Sequence, residues 1–129
     1  MPFTVQQMDH VEVFVRDRDV AASWYERVLG LREVRRWDSG PVMIGSGITM
    51  LALFKARRAG PDNADDDTQP SLRWRRVAWL VAPKDFVSAQ DHLRSCGVAF
   101  EGPIDHDGPL SIYFSDPDGN PLEITCYPT

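Results

Sequence analysis

Four side chains in this 129-residue sequence join reactive chemistry to an informative position: His10, Glu12, Arg76 and Glu123. In Asp9-His10-Val11-Glu12-Val13-Phe14-Val15 the valines alternate with the other residues, the period-two pattern of a strand. His10 and Glu12 therefore share one face, a basic side chain beside an acidic one. Glu123 interrupts the apolar run Leu122-Glu123-Ile124; with Leu122 and Ile124 on one face, its carboxylate is expected to point into a cleft from the other. Imidazole and carboxylate carry protons or hold a divalent cation. Arg76 supplies only a fixed positive charge, because a guanidinium stays protonated and has no lone pair for a metal. No Ser-His-Asp order, Cys-His nucleophile pair or phosphate-cradling glycine loop accompanies them.

An internal repeat relates these positions. Asp9 to Val15 aligns with Arg75 to Val81, which pairs His10 with Arg76 at an offset of 66 (76 − 10). Each run is followed by a helix of amphipathic spacing and then a glycine-led apolar stretch, Gly30-Leu31 and Gly97-Val98. Further on, Ser46-Gly47-Ile48-Thr49-Met50-Leu51 aligns with Asp118-Gly119-Asn120-Pro121-Leu122-Glu123 at an offset of 72 (119 − 47), which pairs Leu51 with Glu123. Of these four pseudo-symmetric positions, only His10 and Glu123 are good metal ligands.

The elements that must hold them follow from local signals. Asp17 or Asp19 can cap a first helix whose apolar positions are Val20, Ala21, Trp24, Val28 and Leu29, with Gly30 as its C-terminal stop. Strands are expected over 32–37, 41–45 and 49–56, so that residues 8–56 form a β-α-β-β-β module. Residues 57–72, with Gly60-Pro61 and Asp65-Asp66-Asp67, read as a solvated linker; they lack the glycine and closing glutamate of a calcium loop. A second module, 73–129, places a strand at 74–81, a helix from Pro83 and Asp85 through Leu93 and Cys96 to Gly97, and strands at 98–102, 110–115 and 121–127. The fold class is α+β, one domain of two modules. Trp24 and Trp79 are assigned to the core. Phe14, Leu53 and Tyr113 are cleft candidates by strand position. His106, in the polar turn 104–109, is assigned to a surface loop, with the cleft edge as the alternative, and His92 to a solvent-facing helix side.

A formal charge of −5, from 19 acidic and 14 basic residues, offers no basic patch beyond Arg73, Arg75 and Arg76, which argues against nucleic acid as a partner. The two cysteines, Cys96 and Cys126, are far apart in sequence and are expected to be buried small side chains. There is no signal-type N-terminus and no apolar run long enough to span a bilayer, so no membrane partner is expected and cytoplasmic residence is the default.

A strand beginning with His10, a helix reading Trp24-Tyr25-Glu26-Arg27-Val28-Leu29-Gly30-Leu31 and a terminal Asp116-Pro117-Asp118-Gly119-Asn120-Pro121-Leu122-Glu123 together resemble the vicinal oxygen chelate superfamily. That group includes glyoxalase I, bleomycin and fosfomycin resistance proteins and extradiol dioxygenases. The resemblance implies two β-α-β-β-β modules whose mixed sheets curl around a shared cleft, commonly in a homodimer. It also implies metal ligands from the first and fourth strands of each module. His10 then matches the first ligand and Glu123 the last, while Arg76 stands where the second histidine belongs and Leu51 where the carboxylate of module one belongs. At ~4 Å and an effective dielectric of ~20, a guanidinium would repel a dication by roughly 8 kcal/mol.

The expectation is therefore a site without cofactor, in which Arg76 replaces the metal and pairs with Glu123 and Glu12, and Glu12, Phe14, Leu51, Leu53 and Tyr113 line the ligand. A divalent metal on His10 and Glu123 is the alternative. Three functions fit the resemblance. One is a lyase or isomerase that moves a proton on a small molecule through Glu123 or His10, with Arg76 steadying an oxyanion. The others are a non-catalytic drug- or metabolite-binding protein and a divalent-metal-dependent lyase or dioxygenase.

Overall fold

A computed structural model describes residue 2, residues 4–56 and residues 75–128. The expected linker at 57–72 and the strand start at Trp74 lie outside these residues. The chain divides into two compact units, Met1–Ala59 and Gly60–Thr129.

The first unit runs β1 (Val11–Val15), α1 (Arg18–Leu29), β2 (Arg32–Arg36), β3 (Val42–Ser46) and β4 (Thr49–Lys55). Its sheet order is β1-β4-β3-β2, with β1 parallel to β4 and the other pairs antiparallel. The second unit repeats the plan with β5 (Val77–Leu80), a 3-10 turn at Pro83–Asp85, α2 (Phe86–Ser95), β6 (Glu101–Asp105), β7 (Leu110–Ser115) and β8 (Pro121–Cys126), in the order β5-β8-β7-β6. The class is α+β, two four-stranded mixed sheets with one helix each.

Local chemistry explains α1. The Asp17 carboxylate accepts from the backbone N–H groups of Asp19 and Val20, at 2.9 and 3.0 Å, satisfying donors that the first helical turn leaves without partners. Gly30 adopts φ 70°, a left-handed conformation open to glycine, and its N–H returns to the Glu26 carbonyl. The face that α1 turns inward carries Ala21, Trp24, Tyr25 and Val28. Val20, expected on that face, is exposed, and Tyr25 is wholly buried in the core instead. Against α1 lie β4, β3 and β2, whose fully buried Leu51, Leu53, Val42 and Ile44 complete the apolar layer.

In the second unit Ile112, Phe114, Leu122, Ile124 and Cys126 are buried, as are Phe86 and Leu93 of α2. Cys96 is only half-buried, Trp79 is half-buried rather than sealed in the core, and His92 is exposed as expected. β6 begins three residues later than expected. Residues after Gly97 (φ 73°) are used in leaving the helix, and the Val98 N–H bonds back to Leu93. The strand then passes through Pro103, which has no N–H to donate. That is tolerable because β6 is an edge strand. A bulge separates Glu101 from Ile104; within it Gly102, at φ 107°, comes so close to β7 that a Cβ there would lie 2.8 Å from the Ser111 carbonyl oxygen. The opposite case is β2, also an edge: all five of its residues are exposed and four are charged. Its Arg36 pairs with Glu33 and Asp19, each at 2.7 Å.

Candidate functional site

Strand register decides which side chains meet. In the second unit Glu123 stands opposite Ala78 on β5 and opposite Tyr113 on β7, while Thr125 stands opposite Leu80 and Ser111. Because side chains alternate, these residues share one face of the sheet, the face opposite Leu122, Ile124 and Ile112. Arg76 joins it from just before β5. Its Cζ lies 4.4 Å from the centre of the Tyr113 ring. Since β8 runs between β5 and β7, separated from each by roughly 4.8 Å, the Arg76 side chain has to cross β8 to reach that ring. Among the described residues no ion pair joins it to Glu123, so the expected Arg76–Glu123 bridge gives way to a cation over an aromatic face.

Tyr113 and Glu123 are each tethered. The phenol oxygen of Tyr113 lies 2.5 Å from Nε2 of His106, and the two rings meet edge to face. The Ser111 hydroxyl donates to Glu123 Oε2 at 2.8 Å and lies 3.0 Å from Thr125 Oγ1, whose own proton goes to the Leu110 carbonyl. Ser111 itself is buried, so one oxygen of Glu123 is fixed from below by an immobile donor. Tyr113, Arg76 and Glu123 are half-buried, open enough to meet a ligand.

His106 is exposed in its turn, as assigned, and also reaches Tyr113, whereas Ser111 was not singled out in the sequence. The turn 105–109 closes a tight hairpin, with the His106 N–H on the Pro109 carbonyl at 2.8 Å and the Gly108 N–H on Asp105 Oδ1 at 2.9 Å. Pro109, Ser111 and Tyr113 alternate on one face, and the residue paired with Pro109 belongs to that face too. Ser111 gave no signal, because a serine in a strand is unremarkable until its neighbours are known.

In the first unit His10 sits between two carboxylates: Nδ1 lies 2.8 Å from Asp9 Oδ2 and Nε2 lies 3.0 Å from Glu12 Oε2. Ionised carboxylates only accept, so both contacts are hydrogen bonds only when both ring nitrogens carry protons. The hydrogen bond to Asp9, then that to Glu12, accordingly raises the His10 pKa above the ordinary histidine value. A raised pKa means that the folded state binds this proton more tightly. The stabilisation is thus fully present below the ordinary histidine pKa and is lost as pH rises through the folded value. In a histidine NMR titration, His10 is expected to have a midpoint above that of a free histidine, and Glu12→Gln should lower it. An unchanged midpoint in that variant would show that the Glu12 contact does not hold in solution.

The repeat places the remaining positions differently from expectation. Val11 pairs with Leu51 and Glu12 with Ala52; in the second unit Val77 pairs with Leu122 and Ala78 with Glu123. The counterpart of Glu123 is therefore Ala52, at an offset of 71 (123 − 52), and Leu51 corresponds to Leu122. The glycines used for the alignment are not equivalent, because β3 and β4 are joined by two residues whereas β7 and β8 are joined by five. One residue of slip exchanges the faces of a strand. Leu51 and Leu53, expected to line a ligand, are 0% exposed and face α1, whereas Phe14 is 62% exposed beside Glu12 on the open face.

The donor set does not fit a divalent ion at the four positions the resemblance implies. Ala52 and Arg76 offer no ligand atom, which leaves only His10 and Glu123 of the four.

Comparison with known proteins gives a consistent result. A family model described as the Glyoxalase/Bleomycin resistance protein/Dioxygenase superfamily matches residues 7–124. The chain is 29% identical to glutathione transferase FosA of Serratia marcescens over 121 residues, covering 93% of this chain and 80% of that protein. It is 28% identical to virulence protein STM3117 of Salmonella typhimurium, covering 95% and 85%. Among solved structures, a glyoxalase/dioxygenase from Nostoc punctiforme superposes with a TM-score of 0.79 at 23% identity, over 96% of this chain and 92% of that one. A glyoxylase/bleomycin resistance protein/dioxygenase domain from Frankia gives 0.76 at 22%, over 97% and 94%.

Proposed function

Because the chain belongs to the Glyoxalase/Bleomycin resistance protein/Dioxygenase superfamily, we propose that it is a member which binds a small carbonyl-bearing organic molecule with an arginine at a position where the resemblance implies a metal ligand. On this reading it moves a proton on that molecule. One observation supports it above the others: Arg76 and Glu123 share the open face of the second sheet without neutralising each other, since the guanidinium rests on Tyr113 and the carboxylate on Ser111.

Each group then has a distinct task. Arg76 meets the carbonyl or carboxylate oxygen and stabilises the negative charge that develops there. Glu123, with one oxygen held by Ser111, takes a proton from the carbon next to the carbonyl. Returning that proton to a neighbouring carbon completes an isomerisation; loss of a leaving group from the enolate completes an elimination. The reading places the protein in the cytoplasm as a homodimer. No helix among the described residues is long and apolar enough to cross a membrane.

The test is deuterium exchange into the methyl group of pyruvate, used as a probe, followed by proton NMR in D2O. Exchange above the buffer rate, indifferent to chelator and lost in Arg76→Gln, is the expected result. Binding without exchange would favour a non-catalytic, resistance-type protein. Exchange abolished by chelator would favour a metal-dependent lyase or dioxygenase. Elemental analysis adds an independent prediction: wild type purified without chelator should be free of stoichiometric metal, and Arg76→His should take up about one divalent ion per chain if arginine alone excludes it. Stoichiometric metal in wild type would overturn the assignment of Arg76.

A further inference from the structure

The Arg76 side chain raises a problem of order. An arginine side chain has many rotamers to lose, and a freely swinging guanidinium would be a poor substitute for a fixed charge. Arg76 spans β8 with no ion pair among the described residues to hold its end; what it meets is the ring of Tyr113. That ring is not free either. Its hydroxyl is bonded to His106, and His106 is carried by a hairpin closed by the His106–Pro109 and Gly108–Asp105 hydrogen bonds. Close apposition of β6 and β7 at Gly102 leaves that hairpin little room to shift against Tyr113.

We propose that His106 and Tyr113 are a positioning pair for Arg76: His106 locks the phenol, and the phenol locks the guanidinium over the open face beside Glu123. The consequence concerns ligand class. A guanidinium offers its N–H donors only in its own plane. A guanidinium held in one place therefore selects ligands whose oxygens lie in a plane, a carboxylate or the enolate of a carbonyl acid, that can be met by two parallel hydrogen bonds. This part rests on the proposed function; the positioning itself does not.

The two parts separate in one experiment. The Nε–H resonance of Arg76, identified by its loss in Arg76→Lys, reports the ring beneath it through a ring-current shift, with no ligand present. The shift is expected in wild type and absent in Tyr113→Leu. It should diminish equally in His106→Ala and Tyr113→Phe, because both remove the same hydrogen bond while Phe keeps the ring. The double variant should be no worse than either. Titration with pyruvate should show affinity weakened about three- to tenfold in both single variants, the size expected for one hydrogen bond, and again no further in the double.

Amide spectra of β7 and β8 matching wild type show that each variant is folded. Additive effects of the two substitutions, or an Arg76 resonance indifferent to both, would overturn the positioning pair. A wild type without the ring-current shift would overturn it as well, whatever pyruvate does. If the resonance behaves as expected but pyruvate binds no variant and not wild type, the pair stands, and it is the proposed function that falls.

Discussion

Glu123→Gln is expected to slow deuterium exchange into pyruvate by about a hundred- to ten-thousandfold, the range typical for loss of a positioned general base. Affinity for pyruvate should change by no more than about threefold, since the amide keeps an acceptor oxygen for Ser111 and the shape of the site. A fall in rate without a fall in affinity is the signature of a group that acts in the transition state. Ser111→Ala should give a smaller loss, because it frees the carboxylate without removing it. If Glu123→Gln exchanged the probe as fast as wild type, the proton would be carried by another group, and Glu123 would be reduced to a charged wall residue.

The second large effect is on stability. Leu51→Ala should destabilise the protein by about 2–5 kcal/mol in denaturant unfolding, the cost of removing a buried leucine side chain and leaving a cavity. Leu51 is fully buried on the strand face that meets α1. Against a total stability of about 5–15 kcal/mol, that is a substantial fraction. Leu51→Glu should prevent folding of the first unit altogether, because a carboxylate placed under α1 would have no partner. A cost below about 1 kcal/mol for the alanine variant would mean that Leu51 faces the open side and that the original pairing with Glu123 was right.

That pairing shows where sequence reasoning loses resolution. The topology was legible because it depends on signals several residues long: the alternation in Val11–Val15, the cap at Asp17, the stop at Gly30, and the recurrence of an apolar run at Val77–Val81 and of a glycine stop at Gly97. Face assignment depends on single residues. Aligning Gly47 with Gly119 ignored the unequal turns around them, and that one-residue error moved Leu51 and Leu53 onto the wrong side of β4. Tyr25 was passed over in favour of Val20 because neighbouring positions at the edge of a helical stripe differ by about 100° and hydropathy ranks valine first. Pro103 was read as lying beyond a strand, since only knowledge of strand order makes a proline there acceptable. His106 was legible as an exposed turn residue, but its bond to Tyr113 was not, because that contact depends on Asp105 pairing with Leu110 across the hairpin.

Each sheet ends in two edge strands, β1 and β2 in the first and β5 and β6 in the second, and two of these, β2 and β6, meet a different hazard. An unpaired strand edge is a template on which another chain can add, and here these two are guarded by unlike means. β6 is blocked by the shape of Pro103 and the bulge in which it lies, which no change of solvent relaxes. β2 also has an irregularity, between Glu33 and Arg35, but no proline; its other guard is the charge of Arg32, Glu33, Arg35 and Arg36, whose influence shortens from about 10 Å at 0.1 M salt to about 3 Å at 1 M. Of these two strands β2 is therefore the one whose protection concentrated salt weakens, and a proline introduced there would add a block of the kind β6 already has, one that does not depend on salt.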